Sequence, residues 1–215
     1  MRGFRAQIRS TPTSSRGLRG LCGCGRAAVV AVAAALMLGG CAGDRIEAIY
    51  SITAAAEVPA QGATTAQILI PEPSALQSLN TANIAIAPTP NTLSYYEKVA
   101  WEDTAPKVFQ RVMLATFQNS GRVKATGLPG QNLLINFQIV TELRAFQAET
   151  YDADRARVEV AVKLLNDANG RVIDARTFEA SIPLAGDGPD SASLGLEAAS
   201  RAVATDVLQW TLSRI

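Results

Sequence analysis

The sequence predicts an α+β fold: one mostly antiparallel sheet with two amphipathic helices packed on one face. Three observations predict it. The signals run in the order strands, helix, three strands, helix. Two late segments alternate apolar and polar residues around Asn169-Gly170, a dipeptide favoured in hairpin turns. Two amphipathic helices cannot bury their stripes on each other and also cover a sheet from both sides. A single sheet with both helices on one face is the simplest solution.

The first forty residues stand apart. They hold six arginines (Arg2, Arg5, Arg9, Arg16, Arg19 and Arg26) and no acid. Of the 20 basic residues, 14 therefore remain downstream against all 19 acids, a net of −5. Ala27 to Leu38 is a run of twelve apolar residues, about 18 Å long as a helix. A bilayer span needs roughly 20. A basic start and a short apolar core read as an export signal. Leu38-Gly39-Gly40-Cys41 follows and resembles a bacterial lipobox, with Leu38, Gly39 and Gly40 as the peptidase recognition residues. Cys41 is then the lipidation site, with diacylglycerol on its thiol and an acyl chain on its new N-terminus. Two or more chains anchor stably where one does not. Leu21-Cys22-Gly23-Cys24 mimics the pattern, but no apolar run precedes it. Cys22 and Cys24 lack a second pair or a histidine to complete a metal site. The organisation expected is a signal peptide at 1–40, a lipidated N-terminus with an edge strand and tether at 41–66, and a periplasmic domain at 67–215.

Within the mature chain, Ile46 to Ile52 reads as an edge strand. Residues 54–66, rich in Ala, Thr, Gly and Pro, read as a loop or tether. Thirteen flexible residues span a root-mean-square distance of about 20 Å. Gln67 to Ile70 is a short strand stopped by Pro71 and Pro73; Asn83 to Ala87 is another, ended by Pro88. Leu93 to Tyr96 is a further strand candidate. The first helix is expected over Thr104–Ser120, with Thr104 as its cap, Pro106 in its first turn and Gly121 at its end. Its apolar face is Val108, Phe109, Val112, Met113 and Ala115. Three strands follow at Leu133–Phe146, Arg157–Leu165 and Val172–Ile182. In the second of these Val158, Val160, Val162 and Leu164 face inward, while Arg157, Glu159 and Lys163 face out and are candidate contact positions. Leu184–Asp190 reads as a loop. Ser191–Ser213 is the second helix, with Leu196, Ala199, Val203, Val207 and Trp210 along one side.

The chain has no histidine, which removes the commonest general base and zinc ligand. Its acidic mature part argues against nucleic acid as a ligand. Glu97, Glu102 and Asp103 lie near Tyr95, Tyr96 and Trp101, but acids at a helix start favour the dipole. Asp152 and Asp154 resemble a fragment of a calcium loop, without its glycine and distal glutamate. The glycines at 186 and 188 are not followed by Lys-Ser or Lys-Thr, so this is no phosphate loop. No nucleophile has a base beside it. The expectation is a protein that is not an enzyme and takes no metal or cofactor beyond its covalent lipid.

Residues 68–121 carry a resemblance to a known family. A strand ends in prolines, an Ile-rich strand follows, then Tyr95-Tyr96, Trp101 and a helix running into Ser120-Gly121. Phe137 in a later strand, the Asp167–Arg171 hairpin and Trp210 in the last helix support it. Over roughly residues 45–215 the chain resembles the ABC-type transport auxiliary lipoproteins, the group that includes the lipoprotein of the paraquat-inducible operon. In that group a tyrosine often follows the lipidated cysteine closely, which Tyr50 fits loosely. The resemblance implies that Tyr95, Tyr96, Trp101 and Trp210 are packing residues, not ligands. It implies an MCE-domain protein and an ABC permease and ATPase as partners, with lipids or other hydrophobic molecules moved between the membranes. A homo-oligomer is compatible with it. With Ala42 after Cys41, the enteric sorting rule implies the outer membrane. The alternatives are an anchored domain that activates a cell-wall synthase or assists outer-membrane assembly, and a domain that binds lipid between its helices and sheet.

Overall fold

A computed structural model describes residues 45–215. The expected signal peptide and the expected lipobox of Leu38, Gly39, Gly40 and Cys41 lie outside the described residues. Residues 46–215 form one compact unit. Its elements are β1 (Ala48–Tyr50), β2 (Gln67–Leu69), β3 (Ser74–Ala75), β4 (Asn83–Thr89), β5 (Thr92–Trp101), α1 (Ala105–Ser120), β6 (Ala125–Gly127), β7 (Phe137–Glu149), β8 (Arg155–Asn166), β9 (Val172–Pro183) and α2 (Gly188–Leu212).

The fold is α+β, with nine strands in one mixed sheet. Its long pairs are antiparallel: β4 with β5, β7 with β8 and β8 with β9. The short strands add parallel pairs, β1 with β5 and β2 with β6. β7 is the spine. β8 runs beside it from Phe137↔Asn166 to Glu149↔Arg155. Its other edge takes β2, β3 and β4 in succession, all parallel to it. Two- and three-residue strands carry no readable period, so β3 and β6 were not expected from the sequence.

A bulge sets the faces of β7. Leu143 pairs with Val160 and Ala145 with Glu159, so Arg144 is an extra residue with nothing opposite. Before it, Ile139, Thr141 and Leu143 point toward the helices; after it, Phe146 and Ala148 do. The apolar residues switch from odd to even positions, and the bulge absorbs the switch. On β8 the predicted alternation holds, with Val158, Val160, Val162 and Leu164 buried and Lys163 exposed. The hairpin turn at 166–171 has Gly170 at φ +69°, and its N–H donates to the Asn166 carbonyl at 2.8 Å.

Both helices share a core with one face of this sheet. Phe109, Met113 and Phe117 of α1 join Ile68, Ile70 and Ile84 in it; Leu196, Val203 and Leu208 of α2 join Val158, Val160 and Phe178. Pro106 lies in the first turn of α1 and Gly121 ends it at φ +61°. Thr104 holds the N-cap position without a side-chain cap. Its amide instead donates to Asp103 Oδ1 at 2.7 Å. Helix α2 starts at Gly188, inside the stretch expected to be a loop, with Asp187 at its N-cap and Pro189 in its first turn. Gly195 lets α2 approach the sheet, because a Cβ there would lie 2.8 Å from Ala156 Cβ and 2.6 Å from Leu184 Cδ2. Buried Gln110 joins α1 to the end of β2, its Nε2 donating to the Ile70 carbonyl at 2.9 Å.

Residues 54–66 have no regular secondary structure, but they are not a free tether. Val58 and Ala66 are buried, and Ala54, Ala55 and Ala60 pack on the core. Polar contacts fasten this segment and the residues just before it to α2 at several points along its length. The Tyr50 hydroxyl donates to Asp190. The Thr53 carbonyl accepts from Arg201 Nε at 2.6 Å. The Gln61 amide donates to Gln209 Oε1 at 2.9 Å. Asn119 of α1 adds a bond to the Ala55 carbonyl at 2.7 Å. The small side chains that suggested flexibility let the backbone lie close to the helices. Upstream, Glu47 is already bonded to β5, its N–H donating to the Lys98 carbonyl at 2.7 Å. It lies six positions after Cys41 in the chain, a fully extended reach of about 20 Å.

Candidate docking surfaces

The residues singled out for chemistry are neutralised or dispersed. Glu102 pairs with Arg111 at 2.7 Å, and Asp103 with Lys107 at 3.5 Å. Glu97 pairs with neither. Asp152 and Asp154 lie in the exposed β7–β8 turn. Among the described residues no group of three acids, cysteines or histidines is placed to hold a metal ion. No described helix is long and apolar enough to cross a membrane.

The aromatic residues divide by face. Trp101 is buried and meets Phe146 edge-on at 5.6 Å between ring centroids. Tyr96 is half-buried. Burial, followed by the nearby charges of Asp154 and Asp187, raises the pKa of its hydroxyl. Tyr95 lies on the opposite side of β5 and donates from its hydroxyl to the Ser78 carbonyl at 2.9 Å. Trp210 is buried on α2, edge-on to Phe178 at 5.5 Å, and its Nε1 donates to Asp174 at 3.2 Å. Arg214 binds the same carboxylate at 2.7 Å. This bond first, then the Ala175 amide, lowers the pKa of Asp174.

The sheet face away from the helices is a mosaic of opposite charges. Arg157 is its hub, reaching Glu179 at 2.8 Å, Glu149 at 3.6 Å and Glu159. Arg144 adds Glu142 at 3.4 Å and Glu159 at 3.9 Å. Glu149 is only 1% exposed and is bound by Arg155 at 2.7 Å. Burial pushes its pKa up, but hydrogen bonds from Arg155, Tyr151 and Gln147 and the Arg155 charge outweigh this and lower it. Of the outward residues expected as contacts, Arg157 and Glu159 are thus engaged with each other. Lys163 alone has no carboxylate within 4 Å among the described residues. Glu149 and Arg155 were not expected here. The signal for them was present: once the apolar residues switch parity at Phe146, position 149 must face outward.

Such a charge-paired surface can bind a complementary partner. A groove of about 470 Å³ opens beside β3, between Leu76 and the stretch Glu142–Arg144. Leu76 is 72% exposed at its edge. A second, of about 350 Å³, lies between β9 and α2 around Phe178 and Trp210.

The model of one family, the ABC-type transport auxiliary lipoprotein component, matches residues 50–208. The chain belongs to this family. Protein XCC0632 from Xanthomonas campestris has a similar crystal structure, with a TM-score of 0.72 and 25% identity. The match covers 77% of this chain and 95% of that one. A second crystal structure, of an uncharacterized protein, shares the fold at a TM-score of 0.61 and 11% identity, over 78% of this chain and 99% of that one. The uncharacterized protein bll6063 from Bradyrhizobium diazoefficiens is 26% identical over 154 residues, 72% of this chain. The match spans only 41% of that longer relative. The family is an auxiliary one and a lipoprotein one by its description.

Proposed function

We propose that this auxiliary lipoprotein is the anchored docking component of an ABC-type system that moves lipids or other hydrophobic molecules between the inner and outer membranes. The family match over residues 50–208 carries the reading. Cys41 holds diacylglycerol and an N-acyl chain, and Leu38, Gly39 and Gly40 admit the peptidase. The partners are an MCE-domain protein and the permease and ATPase of the transporter. The anchor lies in the outer membrane, with the domain in the periplasm. The chain supplies no catalysis. Its charge-paired sheet face and packed aromatic residues support a role in binding.

The strapping of residues 50–61 to α2 bears on how the domain works. With a reach of about 20 Å between Cys41 and Glu47, the domain is held close to its membrane. A partner crossing the periplasm must therefore come to it. The test is a pull-down of the full lipidated chain, tagged after Ile215, from cross-linked membranes in mild detergent. Recovery of an MCE-domain protein is the expected result. Recovery of a cell-wall synthase or an outer-membrane assembly complex, with no MCE-domain protein, would overturn the reading.

A further inference from the structure

Two groups of charged side chains without partners lie at opposite ends of the domain. The chain enters β1 heading away from the end that holds the β7–β8 turn and the start of α2. That end carries Asp152, Asp154 and Asp187, exposed and with no cation within 4 Å among the described residues. At the far end both helices finish, and the chain presents Arg122, Lys124 and Arg171. All three are exposed, and none has a carboxylate within 4 Å among the described residues.

The backbones of these three residues border one groove, whose lining is formed by their neighbours. It has a volume of about 360 Å³ and is lined by Thr64, Asn136, Phe137 and Asn166, among others. Backbone bonds tie each cation to its wall or floor. The Arg122 carbonyl accepts from Thr64 at 2.8 Å, the Lys124 amide donates to Ala66 at 3.2 Å, and the Arg171 carbonyl accepts from Asn166 at 2.9 Å. The groove itself offers donors. Asn136 and Asn166 use their Oδ1 atoms to accept from Gln67 and Ala168. Both amide nitrogens are left without a partner among the described residues. Thr64 Oγ1 accepts from Ala66, so its hydroxyl hydrogen is free. One acid lies close by, Asp167, and it is bound by Gln138. Leu134, two residues before Asn136, is 84% exposed. The dipole at the end of α1 accounts for a cation at Arg122. Arg171, in a hairpin turn, has no such reason.

We infer that this groove docks an acidic, extended polypeptide segment of a partner, with an aliphatic residue seated on Leu134. Carboxylates complement the three cations, and the segment's carbonyls accept from Asn136, Asn166 and Thr64. A concave, donor-lined groove fits one chain better than a flat bilayer. A second copy is disfavoured: joining acidic to basic ends would stack copies away from the membrane, beyond the reach from Glu47 to Cys41. The inference deepens the docking role proposed above and rests on it only for the existence of a partner.

The test uses the full lipidated chain in neutral phosphatidylcholine nanodiscs. The probes are a labelled Glu-rich peptide carrying one leucine, its Lys-rich counterpart, and vesicles containing phosphatidylglycerol. The Glu-rich peptide is expected to bind, more weakly as salt rises. The double variant Lys124→Glu, Arg171→Glu, which spares the cation at the end of α1, should lose at least about tenfold in affinity, which corresponds to 1.4 kcal/mol, with an unchanged melting temperature. Leu134→Ser, at an exposed site that does not endanger folding, should weaken binding in the same direction. Failure of the Glu-rich peptide to bind, equal binding of the Lys-rich peptide, binding of anionic vesicles in its place, or acid-to-base self-association would each overturn the inference. Because no transporter is present, peptide binding without recovery of an MCE-domain protein from membranes would sink the transport reading alone.

Discussion

Glu149 and Arg155 face each other across β7 and β8, 2.7 Å apart, on the side of the sheet away from the helices. The bulge at Arg144 puts them there. Were Arg144 paired in regular alternation and not bulged, position 149 would share the parity of Leu143 and point its carboxylate into the core.

Deleting Arg144 should therefore be tolerated. Leu143 and Ala145 would become consecutive opposite Val160 and Glu159, so the ladder becomes regular while Phe146 and Glu149 keep their faces. Arg144→Ala keeps the bulge and loses only its surface ion pairs, at a cost below about 1 kcal/mol. Urea denaturation of both variants decides this; a deletion far more destabilising than the truncation would refute the register given to the bulge.

The same pair predicts an acid limb. The Glu149 carboxyl titrates below its ordinary 4.5 when folded. The unfolded chain binds that proton more readily, so the stabilisation is complete above about pH 4.5 and is lost as pH falls through the folded value. Thermal melting from pH 6 down to pH 3 should show the wild type losing stability more steeply than Glu149→Gln.

At Gly195 the contact with Ala156 Cβ leaves no room for a methyl group. Helix propensity alone favours alanine over glycine by about 1 kcal/mol. Gly195→Ala should nevertheless destabilise, by about 1–3 kcal/mol, as overpacking does, and Gly195→Val should cost more. A melting temperature raised by Gly195→Ala would show that α2 moves aside freely.

Arg201 holds the strap through the Thr53 carbonyl. Arg201→Ala should cost about 1 kcal/mol and act locally. Amide exchange should quicken over residues 53–61, while β7 and β8 keep their protection. Uniform exchange across all three would mean that the strap is not a separate unit.

The lipid-anchor proposal predicts that Cys41→Ser abolishes labelling by palmitate and moves the protein from the membrane to the soluble periplasmic fraction. Cys22→Ser should change neither. Metabolic labelling followed by fractionation reads both.

Much of the fold was legible because it obeys local rules. The β8 alternation, the Asn169-Gly170 turn and the helix stripes each depend on neighbours in sequence. The bulge was half legible: Phe137, Ile139 and Leu143 at odd positions against Phe146 and Ala148 at even ones announce a change of parity, but not where the extra residue sits. The strap was misread because alanine, threonine and proline look alike in a loose linker and in a segment pressed against a helix. Gln110 gave no signal at all, since its partner is the Ile70 carbonyl, forty residues away.

By itself, then, the sequence determined the periodic elements and the resemblance that the family match bears out. These are properties of adjacent residues, and short-range sterics and hydrophobic spacing are enough to specify them. Tertiary structure alone decided that β2, β3 and β4 line up in parallel along β7, and that residues 50–61 are bound to α2. It also decided that Arg122, Lys124 and Arg171 are bonded through their backbones to residues bordering one groove. Those contacts join residues tens of positions apart, and no local pattern encodes them. They form only when burying one shared core brings the segments together.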